Sequence, residues 1–295
     1  VLAVAVSVSA QEAEGPRHAL VIGNAAYEHF GALANPANDA RDMARTLRGL
    51  GFGVTELVDA TFAQMDEAVF EFGETLARAG GVGLFYYAGH GIEAGGVNYL
   101  APVDQEIRAE RELRRKAISV SAVLAEMEYA RNGTNIIILD ACRDNPLPAD
   151  ARSSGSSRGL SVVQAPSGSL VVYATSPGEA AADGRGRNGV FTGVLLSHIT
   201  TPGIDVMDML RDVRRDVMAA TGNEQTPWEN SSLTTRFYFA GAREGVVEAQ
   251  PVGRRLQVVP TYGEIEISVL AAADLYLDGE HLGRLDAGQT ARLQD

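Results

Sequence analysis

The sequence is poor in cysteine, in lysine and in long apolar runs. Its 295 residues include one cysteine, Cys142, and one lysine, Lys116, so an internal disulfide is excluded. No stretch approaches the ~20 apolar residues that a transmembrane helix needs. Acidic residues outnumber basic ones by 38 to 25, and the net charge is −13. This balance argues against nucleic acid as a partner, because nucleic acid requires a basic face.

The first 16 residues are predicted to be a leader. Residues 1–14, VLAVAVSVSAQEAE, form a short apolar run followed by small residues, as in the tail of a secretory signal peptide. The alternative is a frayed apolar N-terminus. A signal peptide implies a periplasmic or secreted protein. In such a compartment an unpaired cysteine requires an explanation, and catalysis is one.

Residues 17–240 alternate between continuous apolar strands and amphipathic helices. This alternation predicts an α/β domain in which helices flank a mostly parallel sheet. The charged segment 105–116 is predicted to be a solvated face, and the Ser/Gly-rich segment 147–168 a mobile loop or linker. The predicted strands are 17–23, 52–59, 82–91, 135–142, 169–175 and one near 235–239, and the predicted helices are 38–50, 61–79, 121–131, 190–200 and 205–220.

The C-terminal part has a different pattern. Residues 241–262 are predicted to be a linker, and residues 263–295 alternate apolar and polar residues at period two, which predicts a small antiparallel β module. The stretch LYLDGEHLGRL, residues 275–285, resembles PEGA repeats, which are small envelope-associated β modules. That resemblance implies an envelope partner for this part of the chain.

Two apolar strands lead into polar segments that carry reactive side chains. VGLFYYAGHG, residues 82–91, contains His90 between two glycines, and NIIILDACRDNP, residues 135–146, contains Cys142. The carboxyl ends of parallel strands meet at one edge, so the sequence predicts that these two residues lie together. A lone cysteine is usually an inert core residue and a lone histidine a structural one. Together at one edge they favour a thiolate–imidazole pair.

The glycines beside His90 have a predicted role as well. Neither Gly89 nor Gly91 carries a side chain, so both are expected to leave room for a substrate backbone. The backbone N–H of Gly91 is a candidate oxyanion donor, paired with the N–H of Cys142.

The motifs YYAGHG and DACRDNP, in this order, resemble the caspase-like cysteine peptidases, particularly bacterial caspase homologues and metacaspases. His90 and Cys142 are 52 residues apart, similar to the spacing of about 50 in the caspase signature. The resemblance covers roughly residues 17–240 and includes NDA, YATSPGEAAADG and QTPWENSSL. It implies a caspase–hemoglobinase fold and a cysteine endopeptidase, with His90 as acid/base and Cys142 as nucleophile.

The resemblance also implies a substrate preference. Caspases carry Gln two residues before the nucleophile, whereas metacaspases carry Asp there and cleave after Arg or Lys; this chain has Asp140. Asp39, in the NDA motif, matches the second acidic residue of that pocket, although its alternative role is to cap the first helix. Two carboxylates can hold a guanidinium through charge-assisted hydrogen bonds. Peptide substrates with Arg at the cleavage position are therefore expected.

The sequence also bears on self-processing, on cofactors and on an alternative function. Arg152 and Arg158 lie in the segment before residue 169 and are candidate self-cleavage sites; the alternative is a plain solvent loop. No metal or other cofactor is predicted, although some metacaspases need calcium and the sequence leaves that question open. The rival function is an inactive caspase-fold scaffold that binds envelope partners through its β module. The presence of both His90 and Cys142 disfavours it.

Overall fold

A computed structural model describes the protein at residues 6–7, 15–142, 147, 160–176, 186–241, 264–268, 273–277, 280–286 and 290–294. The chain forms two compact units, Glu12–Arg243 and the combination of Val1–Gln11 with Glu244–Asp295. The strands are β1 (Val6–Ser7), β2 (Arg17–Gly23), β3 (Gly53–Val58), β4 (Val82–Ala94), β5 (Val97–Leu100), β6 (Ile118–Ser119), β7 (Thr134–Cys142), β8 (Ser169–Tyr173), β9 (Trp228–Ser231), β10 (Glu264–Ser268), β11 (Ala273–Leu277), β12 (Glu280–Leu285) and β13 (Thr290–Gln294). The helices are α1 (Pro36–Gly49), α2 (Phe62–Ala79), α3 (Leu113–Lys116), α4 (Val120–Ala130), α5 (Val190–His198) and α6 (Val206–Ala220), with a 3-10 turn at Glu110–Glu112.

The larger unit is built on one mixed sheet with the strand order β3-β2-β4-β7-β8-β9. The first five of these strands pair in parallel, and β9 pairs antiparallel to β8. The short strands β5 and β6 extend from β4 as an antiparallel appendage. The predicted α/β fold with a mostly parallel sheet is confirmed.

Helices cover both faces of this sheet. Because successive side chains of a strand point to opposite faces, β4 supplies Leu84 and Tyr86 to one core and Phe85 and Tyr87 to the other. The first core lies under α1, α5 and α6, and the second under α2 and α4. Strands buried on both sides explain why the sequence shows continuous apolar runs instead of alternation.

Two predicted strands differ from the observed ones. β4 does not end at Gly91 but continues to Ala94, because Gly91–Ala94 pairs with β5. The last strand of the larger unit is β9 and not residues 235–239, although Phe237 and Phe239 are buried in the core. The phenylalanines of this segment therefore contribute to the core without forming a strand.

The segments predicted to be a solvated face and a mobile loop or linker both make contacts with the domain. Within the charged segment 105–116, Ile107 and Leu113 are buried in a small cluster with Ile92 and Tyr99. In the described part of the predicted loop, Ser161 exchanges two hydrogen bonds of 2.7 Å with the Asn98 side chain. Most charged side chains of the first segment are exposed, as predicted for a solvated face, while its two apolar residues anchor it. Residues 160–168 form a loop that these hydrogen bonds hold to the domain.

The smaller unit consists of short antiparallel pairs. β11 and β12 form a hairpin, β10 pairs with β13, and Val6 and Ser7 of β1 pair with Leu275 and Asp274 of β11. The likeness of this part to PEGA repeats stays a prediction. Among the described residues of the whole chain, no helix has the length and apolar character needed to cross a membrane.

Candidate active site

His90 and Cys142 occupy facing positions on neighbouring strands. β4 and β7 run in parallel, and the final pair of their register joins His90 to Cys142. Residues directly opposite one another on adjacent strands share a face of the sheet. By the period of two along β7, position 140 falls on that face too. Positions 90, 140 and 142 therefore lie together on the α1 and α5 side.

The His90 ring is held in one orientation. Its Nε2 lies 2.8 Å from the carbonyl oxygen of Gly31, and a carbonyl oxygen only accepts, so Nε2 carries the proton. The neutral ring then has its lone pair on Nδ1, the nitrogen that serves as a base. The Tyr27 ring lies 4.5 Å from the imidazole centroid and Phe30 meets it edge-on at 5.8 Å. These contacts leave His90 only 7% exposed.

The backbone of His90 is fixed by tyrosine hydroxyls. Its N–H donates to Tyr27 Oη at 2.8 Å, and its carbonyl accepts from Tyr87 Oη at 3.0 Å and from the Ala101 N–H at 3.0 Å. The two hydroxyls are 3.2 Å apart. His90 is thus anchored through both its backbone and its ring.

The two flanking glycines are required by packing inside the protein. A Cβ at Gly89, where φ is +152°, would lie 2.5 Å from Tyr27 Oη and 2.7 Å from Tyr87 Oη. A Cβ at Gly91 would lie 2.9 Å from the Ala141 Cβ. We expected both glycines to leave room for substrate, and the sequence did not show that neighbouring side chains inside the protein also require glycine at these two positions.

The Gly91 amide can be oriented from the strand pairing. The Ala101 N–H donates to the His90 carbonyl, so His90 directs its polar backbone atoms toward β5. Backbone groups of successive residues in a strand point to opposite edges. The N–H of Gly91 therefore points toward the β7 side of β4, the side on which Cys142 lies.

Two carboxylates converge beside this pair. Asp39 on α1 is 2% exposed, and its Oδ1 accepts from the Gly189 N–H at 3.1 Å. Asp140 Oδ2 accepts from Thr192 Oγ1 at 2.6 Å. A Cβ built on Gly189 would lie 3.4 Å from Asp39 Oδ2 and 3.5 Å from Asp140 Oδ2. Burial and then the nearby Asp140 charge raise the pKa of Asp39 from 3.8 to about 7.

The structure also decides the alternative role of Asp39. Helix α1 begins at Pro36 with Asn35 at the N-cap position, and it has no side-chain capping hydrogen bond. Asp39 is the fourth residue of the helix, and its carboxylate bonds to Gly189 instead. The interpretation of Asp39 as a helix cap is therefore wrong.

An ion pair holds the segment that carries Gly189. Arg187 donates from Nε and Nη2 to the two oxygens of Asp42, at 2.8 and 3.2 Å, and Asn188 Nδ2 donates to Asp42 at 3.1 Å. The hydrogen bond from Arg187 is the main reason why the pKa of Asp42 falls to about 2. Asp42 is one helical turn beyond Asp39, so the same helix positions the acidic pocket and the segment opposite it.

Several predicted site features lie outside the described residues. These are the candidate self-cleavage sites Arg152 and Arg158, and residues 143–146 of the DACRDNP motif. Within the parts of the chain that the structure describes, no three His, Cys, Asp or Glu side chains are grouped as metal ligands would be.

Three residues that contact His90 or Asp140 were not predicted from the sequence: Tyr27, Gly31 and Thr192. Only one signal pointed to such partners. Tyr86 and Tyr87 are adjacent in a buried strand, and buried tyrosine hydroxyls usually need hydrogen-bond partners on both faces of the sheet. A backbone carbonyl such as that of Gly31 leaves no trace in the sequence.

Comparison with known proteins identifies the family of the chain. The sequence model of a peptidase family, the caspase domain, matches residues 16–238, which is more than half of the chain. The chain belongs to the caspase-domain family. This membership confirms the predicted caspase-like cysteine peptidase family and its fold.

Two mammalian relatives share part of the caspase domain. The chain is 38% identical over 125 residues to human mucosa-associated lymphoid tissue lymphoma translocation protein 1, and 38% identical over 125 residues to its mouse homolog. Each match covers 42% of this chain but only 15% of the human and 14% of the mouse protein.

Proposed function

We propose that this caspase-domain protein is a cysteine endopeptidase that cleaves after arginine, with Cys142 as nucleophile and His90 as acid/base. The observation that supports this function most directly is the register of β4 and β7, in which His90 lies opposite Cys142. The Nε2 contact with Gly31 supports the role of His90, because it leaves Nδ1 as the basic nitrogen. Family membership supports cysteine-peptidase chemistry at this edge of the sheet.

The proposed reaction proceeds through a thioester. His90 Nδ1 takes the proton of the Cys142 thiol, and the thiolate attacks the scissile carbonyl carbon to form the S–C bond. The N–H of Gly91, together with that of Cys142, stabilises the oxyanion. The imidazolium returns its proton to the leaving amine as the C–N bond breaks. Water, deprotonated by His90, then hydrolyses the thioester and regenerates the thiol.

The preference for arginine rests on Asp39 and Asp140. Their carboxylates converge on the same point above Gly189, and the raised pKa of Asp39 reflects two buried acids near each other. A guanidinium carries a fixed positive charge and several N–H donors, so it fits such a pair better than an ammonium does. The substrate class is therefore a peptide or protein with Arg at the cleavage position.

The test compares the purified protein with Cys142→Ala on peptides that end in Arg, Lys, Asp or Asn before a fluorescent leaving group. We expect hydrolysis after Arg first, then Lys, and none by the folded Cys142→Ala variant. Turnover by Cys142→Ala would reject the mechanism, and preferential cleavage after Asp would reject the specificity. A folded protein that cleaves none of the peptides would favour the scaffold.

Self-processing at Arg152 and Arg158 is part of the proposal. Both residues stand in a Ser/Gly-rich stretch between Cys142 and β8, a composition that an arginine-specific enzyme can accept as an extended substrate. Mass spectrometry of the purified protein tests this idea. New termini after Arg152 or Arg158, missing in Cys142→Ala, support it, whereas an active enzyme that remains one uncut chain shows that processing is dispensable.

Export to the periplasm or to the medium, and an envelope partner for residues 263–295, extend the proposal. Their support is the apolar leader and the alternating C-terminal pattern. Cell fractionation of the full-length protein tests the location, and a cytoplasmic pool with an uncleaved leader would reject it.

A further inference from the structure

Thr192 links the acidic pocket to the core of the sheet. It lies in the first turn of α5, is fully buried, and its Oγ1 contacts two groups. Tyr86 Oη on β4 lies 2.6 Å away, and Asp140 Oδ2 on β7 lies 2.6 Å away. A short chain of hydrogen bonds thus runs from one strand through the helix to the neighbouring strand.

The direction of the protons in this chain follows from the donors available. Thr192 has a single hydroxyl proton, and it donates that proton to the Asp140 carboxylate. Tyr86 must therefore donate to Thr192. Burial, and then the charges of Asp140 and Asp39, raise the pKa of Tyr86 well above 10, so the phenol keeps its proton. The chain Tyr86–Thr192–Asp140 stabilises a negative charge on Asp140.

Asp39 has a different environment. Among the described residues, the ionisable groups around it are Asp140, Tyr86, Asp42 and Arg187, and Arg187 is already bound by both oxygens of Asp42. Burial and the Asp140 charge bring the pKa of Asp39 to about 7. Below about pH 7, Asp39 therefore holds a proton, while the Thr192 hydroxyl favours the charged form of Asp140.

We propose that Thr192 is a positioning residue for substrate specificity: its hydroxyl orients Asp140 as the permanent anion of the pocket, while Asp39 releases a proton when the cationic side chain of a substrate enters. This inference rests on the proposed arginine specificity. It adds a role for Thr192 and a proton release from Asp39 on substrate binding. The hydroxyl acts on substrate through Asp140.

The proposal predicts one effect for the unmodified enzyme and one for Thr192→Val, a variant whose side chain has nearly the same shape as threonine but no hydroxyl. First, KM for an Arg peptide rises as the pH falls below about 7, by up to about tenfold per pH unit, because Asp39 must lose its proton. Second, Thr192→Val raises KM for that peptide by about ten- to a hundredfold, the scale of a lost hydrogen bond to a charged group. In this variant the pH midpoint moves upward, because the form with both carboxylates charged loses the hydroxyl that stabilises Asp140.

The experiment measures kcat and KM separately, from about pH 5.5 to about pH 8.5, on two peptides that differ only by Arg or neutral citrulline at the cleavage position. The enzymes are the unmodified protein, Thr192→Val, Thr192→Ser and Tyr86→Phe. We expect the KM effect of Thr192→Val to be at least about fivefold larger for Arg than for citrulline. Thr192→Ser should restore most of the preference, because it keeps the hydroxyl. Tyr86→Phe should give a smaller shift in the same direction, and it replaces Thr192→Val as the probe if that variant does not fold.

The outcomes separate the two levels of the proposal. An enzyme that prefers Arg, but whose Thr192→Val variant shows the same KM ratio and pH midpoint, overturns the role of Thr192 alone. Equal losses on both peptides, or no rescue by Thr192→Ser, also overturn it, because they indicate a structural role. An unmodified enzyme that does not prefer Arg over citrulline overturns the arginine specificity, and this inference with it.

Discussion

His90 depends on side chains that lie between β2 and α1. Tyr27 accepts the His90 N–H at 2.8 Å, and Tyr27→Phe keeps the ring while it removes that acceptor. A buried N–H without a partner costs about 1–3 kcal/mol, so we expect a lower melting temperature. We also expect kcat to fall by about tenfold with little change in KM, because the imidazole loses its orientation. Steady-state kinetics and thermal melting check this, with Tyr238→Phe as the control. An unchanged kcat would show that Tyr27 does not position His90.

In the proposed pocket, Asp140 is the residue on which we expect the preference for arginine to depend most. Loss of one partner from a desolvated charge pair costs about 2–5 kcal/mol, so Asp140→Ala should lower kcat/KM on Arg peptides by at least about thirtyfold. The loss on citrulline peptides should be much smaller, and Asp140→Asn should not restore activity toward Arg. The matched control is Asp208→Ala, which removes an exposed carboxylate from α6. A similar loss on both peptides would mean that Asp140 supports the fold and not the pocket.

The raised pKa of Asp39 predicts a pH-dependent cost in stability. Between its unfolded value of 3.8 and its folded value of about 7, the native state holds a proton that the unfolded state has lost. The free energy of unfolding therefore falls as the pH rises from about 4 to about 7, by about 1.4 kcal/mol for each unit of pKa difference at most.

Asp39→Asn should remove this cost, because the amide has no charge to bury and keeps an oxygen for the Gly189 N–H. We expect the variant to gain stability relative to the unmodified protein as the pH rises, with the largest gain above about pH 7. Urea denaturation at several pH values measures it. The pKa of Asp42 is lowered to about 2, so its titration affects the free energy of unfolding only below about pH 4, outside the range of this measurement. A difference that is independent of pH would contradict the prediction.

At the scale of elements, Gly89 is required where β4 passes into its extension toward Ala94. Gly89→Ala would place a Cβ 2.5 Å from Tyr27 Oη at a φ of +152°. We expect a loss of about 1–3 kcal/mol in stability and a lower kcat, because the hydroxyls that hold His90 must move. Gly49→Ala is the control, since that site is open and lies in α1, where alanine is favoured. Equal melting temperatures for the two variants would show that the hydroxyls are not tightly held.

Elements governed by local patterns were predicted well. The helix α2 begins after Thr61, where the side chains of Thr61 and Gln64 form a capping box, and it ends at Gly80. Elements that depend on distant partners were predicted less well. The extension of β4 needs β5, and β9 needs the edge of β8, so neither boundary is encoded by the residues of the strand itself. The burial of Leu113 within a charged segment has the same cause.

At the scale of the whole molecule, sheet topology explains why part of the site was predictable. Parallel strands bring their carboxyl ends to one edge, so His90 and Cys142 could be assigned to the same place before their register was known. Thr192 and Gly31 could not, because α5 and the segment after β2 reach the site only through tertiary packing. Their residue types carry no distinctive pattern in the sequence.

The central claim is that Cys142, activated by His90, attacks the carbonyl carbon of the peptide bond that follows an arginine. Covalent labelling tests this claim most directly. The protein is treated with a peptidyl acyloxymethyl ketone that carries Arg at the reacting position and is then analysed by intact and peptide mass spectrometry. Since the chain has a single cysteine, we predict one added equivalent, located on Cys142. Labelling should be at least about tenfold slower in His90→Ala and with the citrulline reagent. Labelling of another residue, or equal rates with the Arg and citrulline reagents, would contradict the account.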